Sequence, residues 1–216
     1  MEKAVIFDLD GTLLDTVPDI LDNINLMLAR FGYGTLDAET LKGYVGSGAR
    51  NLCARSIGVP LTEEELDERL DYYNALYTAS DSPKTKLFDG MAEVLRALKK
   101  RGYKLAILTN KPQETTDKVY KNYLKDFGFD AVVGQSGGVK CKPDKTATVN
   151  LLAKLGVSPE NCYFVGDGET DVLTSLNAGT SGIAVLWGYR KKDQLEKVGA
   201  KVFADDPEDL LSLITL

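Results

Sequence analysis

Asp8 and Asp10 follow directly on the apolar run Ala4-Val5-Ile6-Phe7, with Gly11 and Thr12 next in the chain. A pair of carboxylates at the end of a buried strand can give one pocket both a nucleophile and a proton carrier, provided the chain turns there. Gly11 fits such a turn. An acidic turn after a strand has the same look, so the pair alone decides nothing. Three further clusters share the setting. Thr109-Asn110-Lys111 closes the run Lys104 to Leu108 and offers a hydroxyl and backbone N–H groups to an anion. Val139-Lys140-Cys141-Lys142-Pro143-Asp144 sets two lysines ahead of a helical stretch carrying Ala147, Leu151 and Leu152. Val165-Gly166-Asp167-Gly168-Glu169-Thr170-Asp171 puts acids where a strand meets a helix, where they favour the helix dipole or supply oxygen ligands to a hard cation.

The 216-residue chain contains no histidine, which removes Ser-His-Asp and Cys-His chemistry and every His-ligated metal site. Acid–base work must fall to carboxylates, Lys, Tyr or Cys. Cys53, Cys141 and Cys162 make no C-x-x-C pair, so free thiols are expected rather than a zinc site or a disulfide framework. A net charge of −6 argues against a nucleic-acid partner. No apolar run approaches the ~18 residues of a membrane span, and the opening residues lack the apolar segment of a secretory signal. The expectation is a cytoplasmic protein without a membrane partner, either monomer or homodimer.

The elements that must position these residues alternate. Apolar runs at Ala4–Phe7, Lys104–Leu108, Cys162–Val165 and Gly182–Leu186 read as strands buried on both faces of a parallel sheet. Between them lie helical stretches: Met91 to Arg101 with Asp89 as its N-cap, Lys145 to Leu155 closed by Gly156, and Glu169 to Ala178 closed by Gly179. This pattern predicts a doubly wound, Rossmann-like α/β core, whose ligands bind outside the carboxyl ends of the strands, where Asp8, Thr109 and Asp167 converge. From Val17 to Ser82 the chain reads as helical only. Val17, Ile20, Leu21, Ile24, Met27, Leu28 and Phe31 recur at helical steps, and Thr62 with Glu65 forms a capping box. Residues 1–15 and 83–216 are therefore expected to form the catalytic core and 16–82 an inserted helical cap, hinged at Asp15–Val17 and Ser80–Leu87.

Four motifs in this order, each at a strand end, resemble the haloacid dehalogenase superfamily of hydrolases, and the resemblance covers the whole chain. It implies a Mg²⁺-dependent phosphatase in which Asp8 attacks phosphorus and Asp10 protonates the leaving oxygen and later activates water. The second Asp matters, because the superfamily's dehalogenases lack it. By the same resemblance Thr109 and the Asn110 backbone hold phosphate, and Lys142, the lysine before Pro143, partners the nucleophile. Asp8, the Asp10 carbonyl and Asp167 would bind the metal, with Asp171 in support. Gly168 departs from the serine often found there.

The ending, Leu186-Trp187-Gly188-Tyr189-Arg190 with Ala204 to Leu210, resembles the phosphoglycolate phosphatase branch. So does the cap stretch Val45-Gly46-Ser47-Gly48-Ala49-Arg50, in which Gly46 and Gly48 face substrate and Arg50 could meet its carboxylate. That stretch is not a dinucleotide fingerprint, since Asn51 holds the third glycine position. The expected partner is a small phosphorylated metabolite, phosphoglycolate first. Pyrophosphate, nucleotides and sugar phosphates are alternatives, and a catalytically silent metal- or phosphate-binding module is the non-enzymatic one. A β-phosphoglucomutase is less favoured, since that branch uses a cap histidine absent here.

Overall fold

A computed structural model describes residues 2–138 and 140–215, so Val139 of the third cluster lies outside the described residues. The chain runs β1 (Ala4–Phe7), β2 (Leu14–Asp15), α1 (Val17–Arg30), α2 (Ala38–Lys42), α3 (Ala49–Ile57), α4 (Glu63–Ala79), β3 (Lys86–Leu87) and α5 (Met91–Lys100). It continues with β4 (Lys104–Pro112), α6 (Gln113–Tyr123), β5 (Ala131–Gln135), α7 (Thr146–Leu155), β6 (Cys162–Gly166), α8 (Glu169–Ala178), β7 (Ser181–Val185), α9 (Lys192–Lys197), β8 (Phe203–Ala204) and α10 (Leu210–Leu213).

Six of the strands form one parallel sheet in the order β5-β4-β1-β6-β7-β8, the doubly wound α/β arrangement read from the sequence. Ala4 to Phe7 are wholly buried at its centre. Their side chains alternate between two cores, as a pleated strand requires. Val5 and Phe7 pack with Met91, Val94, Leu95 and Leu98 of α5, while Ala4 and Ile6 pack with Leu151, Leu152 and Leu155 of α7. Each large apolar side chain removed from water here contributes about 1.5–3 kcal/mol. Because β4 and β6 flank β1 on opposite sides, the connections diverge there and leave a crevice at the three carboxyl ends.

The first core continues through Leu13 and Leu14 into Ile20, Ile24, Met27 and Leu28 of α1, Leu52 of α3 and Tyr73 and Tyr77 of α4. The capping box of α4 forms as read: the Glu65 N–H donates to Thr62 Oγ1 (3.2 Å) and the Thr62 N–H to Glu65 Oε2 (2.8 Å). Asp89 is not the cap of α5. Gly90 takes that position at φ 83°, in the left-handed region, and a Cβ there would lie 2.1 Å from Glu208 Oε1, so the turn belongs to glycine. The three cysteines are free thiols.

Both connections between the sheet and the helical layer are tied down. β2 and β3 pair antiparallel across them, Leu14 with Leu87 and Asp15 with Lys86. Buried Asp19, in the first turn of α1, accepts from the N–H groups of Lys84 and Thr85 and from Thr85 Oγ1 (2.7 Å). Cutting that carboxylate leaves buried donors unpaired, so Asp19→Ala should lower unfolding stability in urea by about 2–4 kcal/mol. Asp22→Ala, which removes only an exposed ion pair to Lys84, should change it by less than about 1 kcal/mol. Equal losses would show that the Asp19 contacts do not hold the crossing.

Candidate active site

Asp8 leaves the end of β1 with its N–H donating to the Val165 carbonyl of β6 (2.9 Å), which fixes its backbone between strands. Lys142 Nζ lies 2.8 Å from Asp8 Oδ1 and 2.6 Å from Asp171 Oδ1, and all three side chains are buried. Asp167, after β6, accepts from Thr12 Oγ1 (3.2 Å) and from the Tyr189 N–H (2.8 Å). Asp171, in the first turn of α8, accepts through its other oxygen from the Gly168 N–H (2.9 Å). Oxygens of Asp8, Asp167 and Asp171 lie within 4.8 Å of one another.

Such crowding needs backbone without side chains around it. A Cβ on Gly11 would lie 2.4 Å from Asp167 Oδ2, one on Gly188 2.2 Å from Asp167 Cβ, and one on Gly166 2.3 Å from the Asp171 carboxyl carbon. Gly11 also adopts φ 83°, so two constraints demand glycine at that turn.

Asp10 turns to the other side of the crevice. Its carboxylate accepts from Thr16 Oγ1 (2.7 Å) and meets Lys111 Nζ at 3.1 and 3.3 Å. Thr109 to Lys111 sit where the register of β4 against β5 shifts between Leu108 and Pro112. A bulge of this kind re-aims side chains at a sheet's end. Gly134 of β5 makes room for it, since a Cβ there would lie 2.8 Å from the Lys111 carbonyl. Asn110 spends its side chain on structure, accepting from the Lys142 N–H (2.7 Å) and donating to the carbonyls of Lys142 (3.1 Å) and Gly46 (3.0 Å).

Electrostatics marks the cluster. Burial, then the charge of Asp171, pushes the Asp8 carboxyl up to about 6 against the opposing pull of Lys142. Burial, Asp171 and Asp8 push Asp167 up to about 8. Burial works against the charged form of Lys142, but Asp171 and Asp8 outweigh it and raise its pKa. Four buried carboxylates, Asp8, Asp10, Asp167 and Asp171, face two buried ammoniums, Lys111 and Lys142, so with all four ionised two negative charges go uncompensated. An oxygen-only donor set in which carboxylates outnumber ammoniums fits a hard divalent cation.

Of the residues singled out in the sequence, Asp8, Lys142, Asp167 and Asp171 come together, with Asp10, Thr109 and Asn110 on the crevice wall beside them. Gly46 and Gly48 line the same pocket from the helical side. Arg50 does not reach it. Its guanidinium is held on α4 by Glu63 and Asp67, because that acidic first turn presents carboxylates nearer than the pocket. Lys140 is exposed and meets Asp144 loosely (3.9 Å). Sequence reading quoted Thr12, Lys111 and the loop after β7 within its motifs but gave them no role of their own, and it left Thr16 unremarked. In that loop Tyr189 accepts at its hydroxyl from the Thr16 N–H (3.0 Å), while Arg190 donates to the carbonyls of Lys42 (2.6 Å) and Val45 (2.7 Å) and pairs with Glu169 (2.8 Å). The only available signal was a lysine closing an otherwise apolar strand.

A model of the haloacid dehalogenase-like hydrolases matches residues 5–185. Phosphoglycolate phosphatase 1 of Pseudomonas aeruginosa is 31% identical over 98% of this chain and 79% of its own length. The N-acetylmuramic acid 6-phosphate phosphatase of the same organism is 30% identical over 98% of this chain and 94% of its own. A crystal structure from Lactobacillus delbrueckii subsp. bulgaricus superposes with a TM-score of 0.91 at 30% identity, covering 99% of both chains. The chain belongs to the haloacid dehalogenase-like hydrolases.

The raised Asp167 gives a pH signature in the absence of divalent ions. A carboxyl whose folded pKa exceeds its unfolded value favours folding at low pH, and that contribution fades as pH rises from about 4 to about 8. In EDTA, Asp167→Asn should therefore raise the melting temperature more at pH 8 than at pH 5. An equal gain at both values would mean that Asp167 titrates normally.

Proposed function

We propose that this chain, a phosphatase of its family by kinship along nearly its whole length, hydrolyses a small phosphate monoester through a phosphorylated Asp8. The carrying observation is the placement of Asp8, with Lys142 Nζ 2.8 Å from its Oδ1, at the carboxyl end of the central strand. A nucleophile there attacks phosphorus in line with the leaving oxygen, and the ammonium of Lys142 offsets repulsion between Asp8 and the incoming dianion. Thr109 Oγ1 and the backbone beyond it supply donors to the phosphoryl oxygens. Asp10, as the free acid, gives its proton to the departing alkoxide. As the resulting base it takes a proton from the water that opens the aspartyl phosphate, which returns Asp8 and releases phosphate.

Asp8, the Asp10 carbonyl and Asp167 would hold Mg²⁺, with Asp171 in support through Lys142. When bound, the ion neutralises phosphoryl charge and orients the ester. Residues 16–82 would serve as a cap over the core formed by 1–15 and 83–216, excluding bulk water during the first step. Phosphoglycolate is the first candidate substrate, supported by the relatives that carry that name.

Phosphate release from a panel of phosphoglycolate, pyrophosphate, sugar phosphates and nucleotides tests this reading. Release should require Mg²⁺, vanish in EDTA, and fall at least ~10³-fold in Asp8→Asn and about 10²–10⁴-fold in Asp10→Asn. Wild-type turnover surviving in Asp8→Asn would overturn the covalent route.

A further inference from the structure

The pocket above Asp8 and Asp10 is walled by Ile20, Leu52, Tyr73, Asn74 and Tyr77 on the helical side and by Thr109 to Pro112 on the sheet side. Its charged wall residues are Asp8, Asp10 and Lys111. Two of the three repel an anionic leaving group, and Lys111 is the wall's one cation among the described residues. Arg50 is engaged on Glu63 and Asp67, and Arg190 on Glu169 and the carbonyls of Lys42 and Val45. Lys111 is 8% exposed, its Nζ at 3.1 Å from Asp10 Oδ1 and 4.3 Å from the centre of the Tyr77 ring of α4. The ammonium thus stands between the proposed proton donor and the helical layer.

We propose that Lys111 reads a carboxylate on the leaving group and thereby sets the enzyme's preference for small anionic phosphate esters over neutral ones. The assignment rests on the phosphatase reading above and deepens it. The leaving oxygen must touch the Asp10 carboxyl to be protonated, so an ammonium in contact with that carboxyl lies one further contact from the leaving oxygen. In a 2-phosphorylated hydroxy acid the carboxyl carbon is two bonds from the ester oxygen, which brings its oxygens to the same ammonium. Three N–H donors on a flexible stem allow Lys111 to bridge Asp10 and the substrate at once. The open space is about 40 Å³, room for a few waters at the ~10–15 Å³ each requires, so the pocket suits a leaving group of a few atoms.

Two esters of equal skeleton separate this role from simple support of Asp10: 2-phosphoglycolate and 2-hydroxyethyl phosphate, in which CH₂OH replaces the carboxylate. Wild type should show the lower KM for phosphoglycolate. In Lys111→Met that KM should rise about tenfold or more, collapsing the ratio between the two esters, and Lys111→Arg should recover part of it. Loss of the Asp10 contact lowers kcat for both esters alike, so the KM ratio carries the assignment. Equal KM shifts for both esters, or no wild-type preference, would overturn it. Should Lys111→Met not fold, competition in wild type decides: glycolate must inhibit and ethylene glycol must not. Wild type releasing phosphate from no ester would strike the phosphatase reading instead. Calorimetric binding of glycolate to wild type but not to Lys111→Gln would then still support Lys111, and its absence would reject it.

Discussion

Asp8, Asp167 and Asp171 are pressed together out of reach of water around a single ammonium, that of Lys142. Like charges at such separations repel by several kcal/mol at the effective dielectric of a protein site. Lys142 offsets one charge, and raised carboxyl pKa values at Asp8 and Asp167 record what remains. A fold that keeps this arrangement must hold each carboxylate rigidly, since any freedom would let them move apart into solvent. With all three ionised, two charges remain uncompensated, an arrangement compatible with a divalent cation.

The parallel sheet meets that demand by geometry. β1, β4 and β6 are adjacent, and each ends where the next segment must turn away, so residues far apart in sequence project from one edge. Glycine does the rest: Gly11, Gly166 and Gly188 stand where a single Cβ would collide with Asp167 or Asp171. Hydrogen bonding then sorts the carboxylates. Asp10 faces Thr16 and Lys111, away from the trio.

Much of this was legible in the sequence because strands buried on both faces read as apolar runs, and β1, β4, β6 and β7 are of that kind. Their polar ends put Asp8, Thr109 and Asp167 at one edge of the sheet, and the family resemblance supplies the roles expected of each. β5 and β8 escaped, one half-buried and interrupted by Gly134, the other two residues long, since neither carries a run long enough to register. Arg50 was misdirected because sequence shows a cation near a glycine loop but not the carboxylates of α4 that capture it. Lys111 went unread for the converse reason: its partner Asp10 is about a hundred residues away, and only the β4 bulge brings them into contact. The helical layer itself was legible from its period and the Thr62–Glu65 box, whereas the Asp19 clasp depends on a contact that spans the whole insertion.

The residues that hold the helical layer down are chain neighbours of the residues that hold the site together. Asn110 fixes the Lys142 backbone with one atom and grips Gly46 with another. Tyr189 donates its N–H to Asp167 and accepts at its hydroxyl from Thr16, whose own hydroxyl serves Asp10. Arg190 joins Glu169 of α8 to the carbonyls of Lys42 and Val45. Lifting the helical layer breaks these bonds, and each break falls on a residue that touches a site carboxylate, the Lys142 backbone or the first turn of α8. The seating of the helical layer and the order of the carboxylates therefore share the same supports, Asn110, Thr16, Tyr189 and Arg190.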